Sequence, residues 1–154
     1  MQIAPLVSKH ISEVVHGNWT EIYLDDATAD ITFAEAVALP PGITNSIAML
    51  MHHIGFYNAV VMEWLKGNTT FVDASNGFGV TIHTEDDWQQ LRQNVLDSFK
   101  TLANAAKDLS NEKLAEFAPA KDDTLYKTLH GTTEHAHYHL GQIVLIKQII
   151  RAAK

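Results

Sequence analysis

The chain has 154 residues, a formal net charge of −7 with its histidines neutral, and no cysteine. This length suits one domain with a sizeable core, so we expect a single domain over residues 1–154. The acidic balance and the lack of a Lys/Arg stripe disfavour a nucleic-acid partner. The lack of cysteine excludes disulfides, cysteine-ligated zinc and a protein thiolate nucleophile.

The amino-terminal residues predict neither secretion nor membrane anchoring. Residues 1–5 lack the basic start and apolar run of a signal peptide, and no apolar stretch is long enough to span a bilayer. We therefore expect a cytoplasmic protein without a membrane partner. If thiol chemistry occurs, the thiol has to arrive on a co-substrate, because the chain supplies none.

The first half of the chain predicts two long amphipathic helices. The first covers about residues 2–17, and the connection after it holds a possible short helix at 33–39. The second begins after Thr44 and Asn45, a good N-cap pair, and ends at Gly67. Its apolar residues recur at helical spacing: Ile47, Leu50, Ile54, Tyr57, Val61 and Trp64.

The second half of the chain predicts two more long amphipathic helices. Residues 68–83 form a loop, and the third helix starts at Thr84 with three acidic residues in its first turn. A connector over 110–121 precedes the fourth helix, which starts near Asp123 and runs to the end. We expect the three tryptophans to lie in the core or in an interface. Four such helices with two long connections predict an all-α fold, a four-helix bundle with long crossover connections.

Clustered histidines are the strongest functional signal. Of nine histidines, six lie in two short regions: His52, His53, His130, His135, His137 and His139. His135 and His139 are four residues apart, so they share one face of the fourth helix. Two imidazoles at that spacing can bind one divalent ion from one side.

A third ligand would come from the second helix, where His52 and His53 are the candidates. His53 stands beside the apolar stripe, one turn from Leu50 and Tyr57, whereas His52 lies further round the helix. Three neutral imidazoles suit Zn, Ni or Fe and leave positions open for water or substrate. The simpler alternative is that these histidines lie near the core and bind no metal.

Other residues near the pair carry weaker signals. Position 136 is alanine, so the glutamate base of an H-E-x-x-H zinc peptidase is missing. Glu134 is either a partner of a ligating histidine or a solvated surface residue, and His137 points away from the pair. His52 and His130 are the nearest residues in sequence that could close the metal shell.

Two of these segments resemble a known family. The run from Asn45 to Ile54 and the run from Glu134 to Ile143 resemble the second- and fourth-helix signatures of DinB-like proteins. Further similar segments extend the resemblance over most of the chain: Asn18–Trp19, Trp64–Gly67 and Thr84–Trp88. The resemblance implies a DinB-like four-helix bundle in which His53, His135 and His139 hold a divalent metal ion, Zn or Ni.

The resemblance also implies functions and partners. Characterised relatives include enzymes that use mycothiol, bacillithiol or glutathione, so a thiol-dependent S-transferase acting on a small molecule is the first hypothesis. A metal-dependent hydrolase and a non-catalytic metal- or ligand-binding bundle are the alternatives, and catalytic residues stay unassigned. A homodimer is expected from the resemblance and from the apolar residues Phe56, Phe71 and Phe78.

Overall fold

The computed structural model describes residues 1–70, 72, 74–119 and 121–153, and Phe71 lies outside them. Seven helices are found in this part of the chain: α1 Ala4–Glu13, α2 Leu24–Thr28, α3 Phe33–Val37, α4 Ile47–Leu65, α5 Glu85–Lys107, α6 Asn111–Ala115 and α7 Leu125–Ala152. The four longest, α1, α4, α5 and α7, pack against one another. The predicted all-α four-helix bundle is therefore confirmed. None of the described helices is long and apolar enough to cross a membrane.

Serine and threonine side chains cap the starts of α4, α5 and α7. Ser46 caps α4 by accepting a hydrogen bond from the Met49 amide at 3.3 Å, so the predicted Thr44–Asn45 cap is wrong. Both types of side chain can accept this bond, and the extended backbone of Ser46 decides between them. Gly67 follows the end of α4 with φ +85°, as expected for a residue that terminates a helix.

The other helix boundaries follow the same chemistry. Thr84 and Asp87 form a capping box at the start of α5, and Thr124 caps α7. Helix α1 is shorter than the predicted 2–17 because residues 14–17 form turns that end at Gly17, whose φ is +86°. Two short helices, α2 and α6, lie in connections for which no helix was predicted.

The core lies between the four long helices and contains most of the predicted apolar stripes. Trp64 and Trp88 are buried, and the Trp88 indole donates to the Ile31 carbonyl at 2.7 Å. Trp19 is 97% exposed, so it does not lie in the core, and its place in an interface stays a prediction. The Asn18 side chain bonds its own turn, to Thr20 and the Ile22 carbonyl, and this turn holds Trp19 outwards.

Ion pairs attach the first connection to the bundle. Arg92 of α5 pairs with the Asp25 carboxylate, and its Nε donates to the Thr28 hydroxyl at 3.0 Å. At the far end of α7, Arg151 pairs with Asp30 at 2.8 Å and with Glu35 at 3.1 Å. The long crossover is thus fixed at both of its short helices.

Helices α4 and α5 approach closely where α4 has a glycine. A Cβ atom at Gly55 would lie 3.0 Å from Val95 Cγ2, which is tighter than ordinary packing. The missing side chain therefore lets the two helices pack at this distance. The contact lies two residues beyond His53 on α4.

Candidate metal centre

Helices α4 and α7 bring His53, His135 and His139 together inside the bundle. His135 Nε2 lies 2.9 Å from His53 Nε2 and 3.1 Å from His139 Nε2. His53 and His139 are buried, and His135 is half-buried. One nitrogen from each residue falls within 4.8 Å of the other two, a grouping that could hold a metal ion. The structure thus assembles the three predicted ligands, and their coordination of an ion stays a prediction.

The loop between α4 and α5 orients His53. Its Nδ1 lies 2.5 Å from the Asn76 carbonyl oxygen, which can only accept, so Nδ1 carries the proton. Its Nε2 is then an unprotonated acceptor that faces His135. Tyr57 donates to the Asn76 side-chain oxygen at 2.6 Å, and the Phe78 ring stacks on His53 at 4.0 Å. Backbone, hydroxyl and aromatic contacts therefore fix one ligand candidate.

Helix α7 orients His139 by itself. Its Nδ1 lies 2.6 Å from Oε1 of Gln142, three residues further along. The amide nitrogen of Gln142 donates to the Tyr138 hydroxyl at 3.3 Å, which assigns the amide oxygen to the histidine side. Nδ1 of His139 is therefore the donor, and its Nε2 also presents a lone pair. Such partners are typical of metal-ligating histidines.

The chemistry of this donor set fits a divalent ion. The Nε2 lone pairs of His53 and His139 both point towards His135, and a neutral imidazole has at most one Nε2 proton to share between them. A shared cation satisfies all three nitrogens at once. Nitrogens bound to one tetrahedral zinc ion lie about 3.3 Å apart, close to the spacing here.

Burial keeps these imidazoles neutral. It lowers the pKa of His53 and of His139, although the bond to Gln142 opposes the effect at His139. Burial, followed by the neighbouring His139 and His53, lowers the pKa of His135 to about 4. All three are therefore in the metal-binding form at neutral pH. Burial also raises the pKa of Tyr57, so its hydroxyl stays protonated.

His52 and His130, the two candidates for a fourth metal ligand, do not reach the three clustered histidines. His52 turns its Nδ1 to the Gly77 carbonyl at 2.6 Å. His130 stacks on Tyr126, and its Nε2 lies 3.4 Å from Glu134. The grouping found in the described part of the chain contains three histidines and no carboxylate.

Two other residues of α7 have ordinary roles. The Nδ1 of His137 contacts the Thr133 carbonyl at 2.8 Å, on the backbone of its own helix. Glu134 is exposed and pairs with Lys127 at 2.9 Å, as expected of a surface glutamate. A second grouping, His16 with Asp25 and Asp26, is largely exposed, and its Asp25 carboxylate already binds Arg92. The Arg92 charge disfavours a cation there.

A cavity of about 590 Å³ opens beside the three histidines. One wall is aromatic and aliphatic, and the other follows α7 towards its amino terminus. The lining residues outside the histidines include Tyr57, Val61, Trp64, Asn76, Phe78, Lys121, Lys127 and Gly131. Tyr57 belongs to the predicted apolar stripe of α4, and no functional role was predicted for Asn76, Gln142 or Lys121. Gln142 had a local signal, since it is three residues beyond His139.

The chain is similar to a known protein family in sequence and to a solved structure in fold. A sequence profile of the DinB superfamily matches residues 18–143. A crystal structure described as the conserved protein of locus from Enterococcus faecalis is similar, with a TM-score of 0.70 and 17% identity over 99% of each chain. At that identity the likeness shows the fold alone. No curated protein matches this chain.

Proposed function

This chain belongs to the DinB superfamily, and from that premise we propose that it is a divalent-metal-dependent enzyme, a thiol S-transferase with Zn or Ni at its three histidines. The observation that supports this most directly is the convergence of three Nε2 atoms, two of which have lone pairs fixed by partners on Nδ1. A bound ion supplies a Lewis acid that lowers the pKa of a thiol or a water molecule.

The protein's own residues hold and shape this site. The Asn76 carbonyl and Gln142 orient His53 and His139, and Tyr57 holds Asn76 in place. The histidines form one side of the cavity, so a small molecule in the cavity lies next to their nitrogens. The lack of cysteine means that a reacting thiol comes from a co-substrate. We therefore propose a low-molecular-weight thiol as a partner and a cytoplasmic location, where such thiols stay reduced.

The charges around the site favour transfer to a thiol over hydrolysis. A hydrolase needs a group that removes a proton from water, usually a histidine or a carboxylate. In the described residues the histidine cluster contains no carboxylate, and Glu134 is exposed and paired with Lys127. A bound ion would lower the pKa of a thiol so that its proton could leave to the solvent, and transfer of a group to that thiolate would then need no such base. A non-catalytic metal-binding bundle is the second candidate, favoured by the same three histidines.

Turnover separates these candidates. Metal-loaded protein would be mixed with glutathione and the electrophile monobromobimane, and the thioether measured by fluorescence, with His135→Ala as the matched inactive variant. We expect metal-dependent thioether formation faster than the uncatalysed reaction of the two reagents, and we expect His135→Ala to abolish this excess rate. Binding of thiol to the loaded protein without turnover of any electrophile would favour the non-catalytic bundle. Ester hydrolysis without thiol would favour the hydrolase.

A further inference from the structure

Gly131 is an unusual residue for the interior of a long helix. It lies within α7, where glycine is disfavoured relative to alanine. It has no positive φ, and a Cβ atom there would meet nothing within 4 Å. Neither backbone strain nor helix packing therefore requires a glycine. The residue instead lines the cavity, one turn before His135, and its missing side chain leaves that part of the cavity open.

Lys121 supplies a positive charge to the same cavity. The backbone places it on a turn in which the Lys121 amide donates to the Ala118 carbonyl at 3.2 Å. Its Nζ lies 5.7 Å from the centre of the Trp64 ring, within the range of a cation–π contact. No ion pair joins it to a carboxylate among the described residues, although Asp123 also lines the cavity. Lys127, the other lysine of the cavity, is already paired with Glu134.

The apolar side chains of Val61 and Trp64 on α4 line one wall of the cavity that contains the lysine and the histidines. Trp64 lies eleven residues beyond His53 on α4, which corresponds to about 16 Å of helix. On the opposite wall, the Lys127 side chain reaches Glu134, the residue before His135. Burial lowers the pKa of His135, and the Lys121 charge contributes to that decrease. Val61 and Gly131 also line the cavity. The cavity therefore has the three histidines and the Lys121 ammonium on its walls, together with apolar surface.

We propose that this cavity binds an elongated ligand with an apolar body, whose terminal anionic group, a carboxylate or a phosphate, is bound by Lys121 and whose chain lies against Gly131. The inference rests on the proposed function, because it places the reacting end of that ligand at the histidines. It adds the substrate class: a chain long enough to span the cavity and anionic at its far end. Gly131 is then a specificity-determining residue.

The anionic end is tested first on metal-free protein, so that no ion can bind the carboxylate. Octanoate, octyl phosphate and octanol would be titrated calorimetrically at pH 8 into the wild type, Lys121→Gln and the matched control Lys113→Gln. Lys113 is a surface lysine paired with Glu116, away from the cavity. We expect the anions to bind about tenfold more tightly than octanol, a preference that Lys121→Gln removes and Lys113→Gln keeps.

The outcomes of this titration are distinct. Preference for octanoate or for octyl phosphate identifies which anion the ligand carries, and a decrease of that preference at higher salt supports an exposed ammonium as its cause. Equal binding of acid and alcohol, or an anion preference that survives in Lys121→Gln, would overturn the proposal. The titration of octanoate, octyl phosphate and octanol uses metal-free protein only, so failure of the metal-dependent activity does not affect its result.

The open space at Gly131 is tested with a matched pair of glycine variants. Gly131→Leu places a side chain in the cavity, whereas Gly141→Leu places one on the exposed surface of the same helix, where a Cβ atom also meets nothing within 4 Å. We expect Gly131→Leu to weaken octanoate binding at least about tenfold and Gly141→Leu to leave it unchanged. Equal affinities in both variants would overturn the role of Gly131.

Chain length tests whether the two ends act on one ligand. Mercaptopropionate, mercaptohexanoate and mercaptooctanoate would be titrated into cobalt-loaded protein beside the matching mercaptoalcohols, with the cobalt absorption bands as readout. We expect the acids to gain affinity over the alcohols only for the longer chains. Band shifts that are equal for acids and alcohols at every length would support the thiol site and overturn the elongated anionic ligand. Lys121-dependent octanoate binding without any thiol-induced shift would support the anionic site and contradict the thiol function.

Discussion

His52 and His53 bind two consecutive carbonyl groups of the same loop. The Nδ1 of His52 lies 2.6 Å from the Gly77 oxygen, and the Nδ1 of His53 lies 2.5 Å from the Asn76 oxygen. Adjacent residues on a helix point about 100° apart, so only His53 turns its other nitrogen to the cluster. His52 helps to hold the loop that orients His53, and it does not compete with His53 for an ion.

Metal retention should follow this assignment. Replacing His53, His135 or His139 with alanine removes one of three ligands, and we expect metal affinity to fall at least about 100-fold. His137→Ala should retain the ion, and His52→Ala should lose at most about tenfold because it removes only a loop contact. Elemental analysis of protein purified without metal-affinity chromatography measures this. Equal retention in all five variants would contradict the assignment.

The metal-free protein should lose stability when the pH falls below the ordinary pKa of histidine. The pKa of His135 falls to about 4 in the folded chain from an ordinary 6.5, and those of His53 and His139 are also lowered. The unfolded chain therefore binds more protons between these values, and stability present above pH 6.5 is lost as the pH falls towards 4. We expect a loss on the order of a few kcal/mol, measured by urea unfolding across this range.

The control for this prediction removes the residue with the largest shift. His135→Ala should flatten the pH dependence of unfolding, whereas His137→Ala should leave it as in the wild type. An identical pH dependence in the wild type and in His135→Ala would show that other groups cause the loss.

Removal of the metal should leave the helices in place. The core contains large buried side chains from all four long helices, so folding does not depend on an ion as it does in a small zinc finger. Chelation should lower the melting temperature, because an ion that binds only the folded state stabilises it. Far-ultraviolet circular dichroism with and without chelator measures both effects. Complete loss of helicity at room temperature would contradict the prediction.

Gly77→Ala should loosen the loop that faces the histidines. Its φ is +73°, and an added Cβ atom would lie 2.8 Å from Phe56, so both strain and a clash follow. We expect a loss of about 1–3 kcal/mol in the free energy of unfolding, together with weaker metal binding. Gly42→Ala is the matched control, because its φ is +82° but a Cβ atom there meets nothing within 4 Å. Unchanged metal affinity in Gly77→Ala would show that the loop does not position His53.

A homodimer stays a prediction that light scattering can check. Phe56 and Phe78 are partly buried against the core of one chain, so they no longer argue for an interface. The exposed apolar residues Tyr138, Leu145 and Ile149 of α7 are better candidates. We expect a dimer mass at micromolar concentration and a monomer mass for Leu145→Lys. A monomer mass for the wild type would contradict the prediction.

Helical periodicity was enough to predict the bundle and its three histidines. Spacing of four residues places His135 and His139 on one face, and the apolar stripe of α4 distinguishes His53 from His52 without tertiary information. Periodicity does not describe loops, so it could not show that Asn76 reaches His53 or that Lys121 lies above Trp64. Those contacts depend on how the connections fold back onto the helices.

Because periodicity does not describe loops, it also could not predict the cap of α4 or the position of Trp19. Ser46 and Asn45 are both good capping residues, and only the backbone angles of the folded chain select Ser46. Trp19 was expected in the core or in an interface, and hydrogen bonds of Asn18 hold its turn away from the core. Residue type gives an average preference for burial, and a local hydrogen-bond pattern can overrule it.

The close contact between Gly55 and Val95 fixes how near α4, the helix that carries His53, lies to α5. A larger residue there would push α4 away from Val95 and towards α7, or shift it along its axis. Rotation of α4 by one residue, about 100°, would bring His52 round in place of His53. The glycine at position 55 therefore helps to keep α4 in the orientation in which His53 faces His135 and His139.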